Sequence, residues 1–323
     1  MRVWAPAVGR VVLAACAALA IFGGCAANRD TSELFDTSAV GTLVVDAVLI
    51  VDKPMPNLFV RTILAPDVPY DATVAGVRGA QVTIKTTSGS YRYQEESLGS
   101  ARVGLYRPPG APLVAPNTTY DLEVVTLDGR RVTATTTTPD RFNVSDWVLL
   151  DEESLELIRD FATFEQLGDS VYYAPQNQVV YLDGLLEARF APGPNLKRYH
   201  VGLSSLDLDS DYVIEGDFLE DEDFEDFDRE GSSPALEASG GFVRLPWFAI
   251  YFAGRHKIRV YAIDQNWFDL ARSSPELIGN GGPNVGGNAG DDFERPIFHV
   301  EGGVGLFGAG AVDSIGFTIL PRQ

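Results

Sequence analysis

The sequence predicts a mainly β protein, and three observations carry that prediction. Apolar and polar residues alternate in many short runs, turn-forming pairs such as Ser88-Gly89 and Asp128-Gly129 separate them, and few stretches change to a helical period.

The first candidate strand is Leu43 to Val51, and a second follows at Leu58 to Leu64 after a turn at Pro54 and Pro56. In Ala80 to Lys85, Val82 and Ile84 face one way. Ser88-Gly89 turns the chain into Tyr91 to Gln94, and Val103 to Tyr106 makes another short strand. Tyr120 to Thr126 leads through Asp128-Gly129, a strong hairpin signal, into Arg131 to Thr137. So many short strands at this spacing predict a β-sandwich of immunoglobulin or transthyretin type over residues 40–140, closing near Pro139.

A second β-rich region, 141–323, follows with short helices. From Asp151 to Leu167 the period changes: Leu157, Phe161 and Phe164 fall at i, i+4 and i+7, Asp151 can cap, and Gly168 can end a helix. Strand patterning returns at Val171 to Tyr173 and at Gln178 to Leu182, where Asp183-Gly184 predicts a turn into Leu185 to Phe190. Further strands are expected at Arg198 to Leu206, Phe242 to Phe252, Lys257 to Ile263 and Ile315 to Leu320. A short helix is expected around Trp267 to Arg272, with an acidic loop at 207–233 and a Gly- and Asn-rich loop at 279–290.

The ends carry an address. Arg2 and Arg10 precede an apolar stretch from Val11 to Phe22, too short for the roughly 20 residues of a membrane-spanning helix. Residues 1–24 therefore read as an export signal. Phe22-Gly23-Gly24-Cys25 resembles the bacterial lipobox, in which cleavage precedes a cysteine that becomes acylated, with Phe22 replacing the usual leucine. An ordinary secretory signal ending near Ala26 or Ala27 is the competing reading. Cys16 lies inside the signal, so Cys25 is the expected lipidation site and the sole cysteine of the mature chain, which leaves no internal disulfide. Two or more acyl chains would hold the chain stably at a membrane. Residues 25–39 are polar and read as a tether. Ala26, standing where the resembled lipoproteins carry a retention aspartate, favours the outer membrane of the cell envelope.

The chain has 25 Lys plus Arg against 45 Asp plus Glu; without Arg2 and Arg10 the balance is 23 against 45, a net charge of about −22. Such a field repels polyanions, so nucleic acid is excluded as an expected partner.

Local motifs are read against simpler explanations. Gly303-Val304-Gly305-Leu306-Phe307-Gly308 matches G-x-G-x-x-G, but the chain ends at Gln323 without room for the helix, second strand and acidic residue of a nucleotide fold. A bend or close backbone packing between strands explains its glycines better. Asp207, Asp209 and Asp211 occupy the first three positions of a calcium loop, whereas Tyr212 and Phe218 stand where that loop needs glycine and glutamate. Calcium is thus a weak candidate cofactor and a solvated acidic loop the stronger reading. Phe218, Phe224 and Phe227 punctuate the acidic run, and Trp247 sits in an aromatic stretch, so these four are weak partner-binding candidates. Trp147, Trp247 and Trp267 could stack on sugars, although packing is the default for large aromatics. His200, His256 and His299 show no zinc spacing, and no G-x-S-x-G elbow offers a nucleophile, so no catalytic residue is assigned.

Three stretches carry a resemblance: Leu43-Val44-Val45-Asp46-Ala47, Gly79-Ala80-Gln81-Val82-Thr83-Ile84, and Gly302-Gly303-Val304-Gly305-Leu306-Phe307-Gly308. Together they resemble a family of uncharacterised bacterial outer-membrane lipoproteins, domain of unknown function 4249. His299-Val300 stands where Asn-Ile usually precedes the final signature. The resemblance implies an immunoglobulin-like first half and an accessory role beside TonB-dependent receptors, and it transfers no reaction. Two functions are therefore expected: a non-catalytic binding or scaffolding lipoprotein, or an envelope hydrolase acting on polysaccharide or peptide.

Overall fold

The computed structural model describes residues 39–96, 102–181, 184–193, 195–213, 228–246, 250–273 and 296–320. Strands dominate and helices are few and short, as the alternation predicts. Among the described residues no helix is long and apolar enough to cross a membrane.

In the first region the strands are β1 (Leu43–Ile50), β2 (Leu58–Thr62), β3 (Gln81–Thr86), β4 (Gly89–Arg92), β5 (Gln94–Glu95), β6 (Leu105–Arg107), β7 (Thr119–Val125) and β8 (Arg131–Thr137), with a one-turn helix α1 (Ala72–Ala75). The second region opens with β9 (Val144–Leu150), β10 (Leu157–Asp160), α2 (Phe164–Leu167), β11 (Gln178–Val180), β12 (Leu185–Phe190) and β13 (Arg198–Ser205). It continues with β14 (Glu230–Ser232), β15 (Leu236–Glu237), β16 (Phe242–Pro246), β17 (Gly254–Ile263), α3 (Gln265–Ser273), β18 (Val300–Glu301) and β19 (Gly303–Leu320).

These strands form three sheets. The largest runs β14-β13-β17-β19-β1-β2-β6-β5, with β11 and β15 added to it; the others run β10-β9-β12-β16 and β18-β8-β7-β3-β4. At the centre of the large sheet lies β19. Its first half pairs in parallel with β1, from Leu43 opposite Gly303 to Ile50 opposite Gly310. Its second half pairs antiparallel with β17 and in parallel with β11. The strand expected at Ile315 to Leu320 is thus only the end of an 18-residue strand. Its glycines conceal the rest from a propensity reading, because they lack the branched side chains that mark strands.

One face of β19 serves two cores. Phe307 and Ala309 join Leu43, Val45, Leu49, Leu58 and Val60 beneath Val82, Ile84, Leu122, Val124 and Val132 of the five-stranded sheet. Further along the same alternation, Ala311, Ile315, Phe317 and Ile319 pack with Tyr199, Val201, Ile258 and Val260 against Trp147, Leu149, Leu186, Phe190 and Val243. Burying each large side chain stabilises the fold by about 1.5–3 kcal/mol. The two cores interleave along the chain: Val51, just after β1, joins Phe142 and Val144 in the second, and β18 and the first half of β19 return to complete the first.

Three local expectations are corrected. The helix expected over Asp151 to Leu167 is a turn, the strand β10 and the four-residue α2. The Asp151 carboxylate accepts from the Glu153 and Ser154 amides, Leu155 takes a positive φ of 57°, and Leu157 is left 54 % exposed on an edge strand. Ladder bonds to β9 outcompete the helical period, and the cap passes to Thr163, whose hydroxyl forms a capping box with Gln166. Val171 to Tyr173, expected as strand, closes a 3₁₀ helix, Gly168–Tyr173, that buries Val171 and Tyr172. The pair Asp183-Gly184 joins no hairpin: β11 belongs to the large sheet and β12 to the four-stranded one. Asp183 itself, the acidic run 214–227 and the loop 279–290 lie outside the described residues.

Candidate functional site

The outer face of the five-stranded sheet becomes a site because another segment crosses its edge. Strand alternation turns Lys85 on β3, Asp121 and Glu123 on β7, and Arg131, Thr133 and Thr135 on β8 away from the core formed by Val82, Ile84, Leu122, Val124 and Val132. β18 then pairs with β8, setting Glu301 opposite Thr133. The chain before it, with Phe298 and His299, and Asn266 of α3 raise a wall, and together they enclose an open groove of about 510 Å³.

The wall is pinned from several sides. Asn266 Nδ2 donates to the Thr135 and Phe307 carbonyls at 2.8 and 2.9 Å, His299 Nε2 meets Asp269 Oδ2 at 2.7 Å, and the Ile297 amide donates to Ser273 Oγ at 2.7 Å. α3 itself is capped by Asp264, whose Oδ1 accepts from the Trp267 amide at 3.0 Å and whose other oxygen accepts from the Thr136 hydroxyl. Burial raises the Asp264 carboxyl above its ordinary value.

On the floor, Glu123 is held between Lys85 Nζ and Arg131 Nη2, each at 2.8 Å. The hydrogen bond and charge of Lys85, and then the charge of Arg131, hold its carboxyl below the usual range, so it stays ionised. The Thr135 hydroxyl donates to Asp121 at 2.7 Å, and that of Thr133 to Glu301 at 3.2 Å. Donors and acceptors thus project from regular strands and meet one another across the floor, an arrangement suited to recognising polar groups. Glu123, ionised and doubly paired, is a poor proton donor.

The residues singled out from the sequence fall elsewhere. Cys25, Phe218, Phe224, Phe227 and Trp247 lie outside the described residues. Asp207, Asp209 and Asp211 do not converge. Asp207 accepts from the Arg255 guanidinium at 2.6 and 2.9 Å and from the Arg255 amide at 2.7 Å, which holds its carboxyl low, while Asp209 and Asp211 are exposed. Among the described residues no three acidic, histidine or cysteine side chains gather as a metal-ligating group. Trp147 is core, and Trp267 packs beside Tyr261 and His200.

One polar pair has catalytic atom types. Ser205 Oγ lies 2.9 Å from His256 Nε2, because the two residues are directly opposite in the β13–β17 ladder. The imidazole is fully buried and stacked on Phe317, and its Nδ1 meets the Gly254 carbonyl at 2.9 Å. Burial pushes its pKa down to about 4, so at neutral pH Nδ1 carries the proton and Nε2 accepts from Ser205.

The groove residues were readable only as a solvent face. Their signal is the polar alternation Asp121-x-Glu123 and Arg131-x-Thr133-x-Thr135, which any exposed sheet shows.

Sheets and groove together define a mainly β protein with a polar groove at one sheet edge. Residues 31–315 match the family described as Domain of unknown function (DUF4249), and the chain belongs to that family. No curated relative matches it.

Proposed function

We propose that the protein is a non-catalytic lipoprotein of the outer envelope, anchored through acylated Cys25, that binds a polar partner in the groove of the five-stranded sheet and serves a TonB-dependent receptor in nutrient capture. The observation that carries the reading is the groove itself: about 510 Å³, lined by charged and hydroxyl side chains already oriented by one another. The lipobox-like Phe22-Gly23-Gly24-Cys25 supports the address, and the family resemblance supports the receptor.

An affinity pull-down of the acylated protein from gently solubilised envelopes tests it, with Cys25→Ala and the groove-filling Thr133→Trp as comparisons. Recovery of one TonB-dependent receptor, reduced at least about tenfold by Thr133→Trp, is expected. Equal recovery with and without Thr133→Trp would remove the groove from the reading, and no receptor at all would remove the accessory role.

The Ser205–His256 hydrogen bond favours a second reading, an envelope hydrolase. Both residues are buried, and the histidine is oriented by a backbone carbonyl, where a triad uses a carboxylate. Hydrolysis of an ester, peptide or glycan that disappears in Ser205→Ala with the fold intact would establish it.

A further inference from the structure

We infer that the pole where the described chain begins lies against the bilayer surface, with Leu127, Tyr70, Val74, Val68 and Val40 as its contact residues. The inference rests on the anchoring at Cys25 proposed above.

These five side chains are 83, 66, 59, 44 and 41 % exposed, and they come from three segments that the backbone ties into one pole. The first, Ala39 to Thr42, hydrogen-bonds the start of the loop after β2: the Gly41 amide donates to the Ile63 carbonyl at 2.8 Å, and the Ile63 amide returns to Thr42 at 3.0 Å. That loop carries Val68 and Tyr70 into α1 with Val74, and Thr62 Oγ1 donates to the Ala75 carbonyl at 3.3 Å, folding α1 back beside β2. The third segment is the β7–β8 hairpin tip with Leu127. Arg130 Nη1 binds the Gly41 carbonyl at 2.6 Å, which brings this tip to the chain's entry point.

Charge does not oppose contact with lipid at this pole. Segments 39–44, 61–78 and 126–131 carry four arginines, Arg61, Arg78, Arg130 and Arg131, against three aspartates, in a mature chain of about −22. Groups of both signs are engaged: Asp71 caps α1 through Thr73, Arg130 Nε holds Asp128 at 2.8 Å, and Arg131 holds Glu123 at 2.8 Å. These segments are therefore near charge balance, and an anionic surface meets little net repulsion from them. Valine and leucine suit the acyl boundary, and tyrosine the headgroup level.

Length decides the occupant. From residue 25 to residue 39 is fourteen positions, which reach at most about 50 Å even when fully extended. An acylated Cys25 thus keeps this end of the molecule nearest the lipid, and exposed apolar residues held there at high local concentration meet the bilayer before any other partner.

The test uses full-length protein acylated in a bacterial host and reconstituted into phosphatidylethanolamine–phosphatidylglycerol vesicles. Val74→Cys, Leu127→Cys and Leu157→Cys each receive a thiol-linked fluorophore; acylation occupies Cys25, and Cys16 leaves with the signal. Leu157, 54 % exposed on β10 against the other core, is the control. Headgroup-nitroxide lipids are expected to quench the labels at positions 74 and 127 at least about threefold more than the label at 157. Equal, weak quenching at all three positions in protein that co-floats with the vesicles would overturn the inference while leaving the anchor intact. Shielding of 74 and 127 from aqueous iodide without nitroxide quenching would assign the pole to a protein partner or a second copy, and would also overturn it. Protein that fails to co-float would remove the anchor, and the inference with it.

Discussion

Replacing Gly305 by alanine tests the central packing of the molecule. Gly305 has φ +115°, which L side chains rarely adopt, and an added Cβ would stand 2.0 Å from the Val45 carbonyl oxygen on the parallel partner β1. Ordinary contact begins at 3.4 Å, so the carbonyl would have to retreat by about 1.4 Å, the difference between those distances. That retreat breaks ladder hydrogen bonding at a strand buried on its core face. The strained backbone costs about 1–3 kcal/mol. Leaving a buried carbonyl unpaired costs about 1–3 more. A loss of about 4 kcal/mol is a large part of the roughly 5–15 kcal/mol by which such proteins are stable. Urea unfolding followed by tryptophan fluorescence measures it, with two controls. Gly129→Ala meets nothing within 4 Å at φ +85° and bears the backbone cost alone; Gly89→Ala meets nothing within 4 Å and has no positive φ. At an m-value of roughly 2–3 kcal/mol/M, Gly305→Ala should lower the midpoint by about 1–2 M, Gly129→Ala by clearly less, and Gly89→Ala hardly at all. If Gly305→Ala unfolds with Gly129→Ala, β19 does not approach β1 as described and the reasoning fails.

Asn177 is fully buried and joins the chain after β10 to β19, accepting from the Ala162 amide at 2.8 Å and donating to the Ala162 and Gly316 carbonyls at 2.9 and 2.7 Å. Asn177→Ala should cost about 2–4 kcal/mol in the same urea assay, and a cost under about 1 kcal/mol would deny the link. Acid should weaken the fold through His256, which faces Ser205, Asp207 and Arg229 and whose pKa burial pushes down from 6.5 to about 4. The unfolded chain binds this proton first, so the contribution is complete above pH 6.5 and is lost as pH falls towards 4, by about 2–3 kcal/mol. The double variant Ser205→Ala/His256→Phe should unfold near the parent at pH 7.5 and show a shallower loss between pH 6.5 and 4; an unchanged slope would mean that another group sets it.

Period-two alternation was sufficient to place β1, β3, β7, β8 and β13 within a residue or two and β17 within three, because each buries one face and a one-residue slip would expose it. The mainly β class and the helix at Trp267 were legible for the same reason: α3 lays Phe268 and Ala271 inward at helical spacing. Charge balance and the signature glycines were also legible, and close backbone approach is indeed what the glycines of β19 provide. The stretch from Asp151 to Leu167 misled because Leu157, Phe161 and Phe164 have helical spacing but answer to different neighbours: Phe161 enters the second core, Phe164 meets Tyr172, and Leu157 stays outside.

Local sequence therefore determined the elements that satisfy themselves nearby: hairpins whose turns set register, strands with one buried face, and a helix with one. Tertiary structure alone decided that Gly303 would lie beside Leu43, some 260 residues earlier in the chain, and that Glu301 would stand opposite Thr133 to close a groove. Parallel pairing between distant segments leaves no local trace, because its hydrogen bonds use backbone atoms that every residue carries. The groove inherits that dependence: Asp121, Glu123 and Thr135 are an ordinary wet face until the chain's last strands return to wall them in.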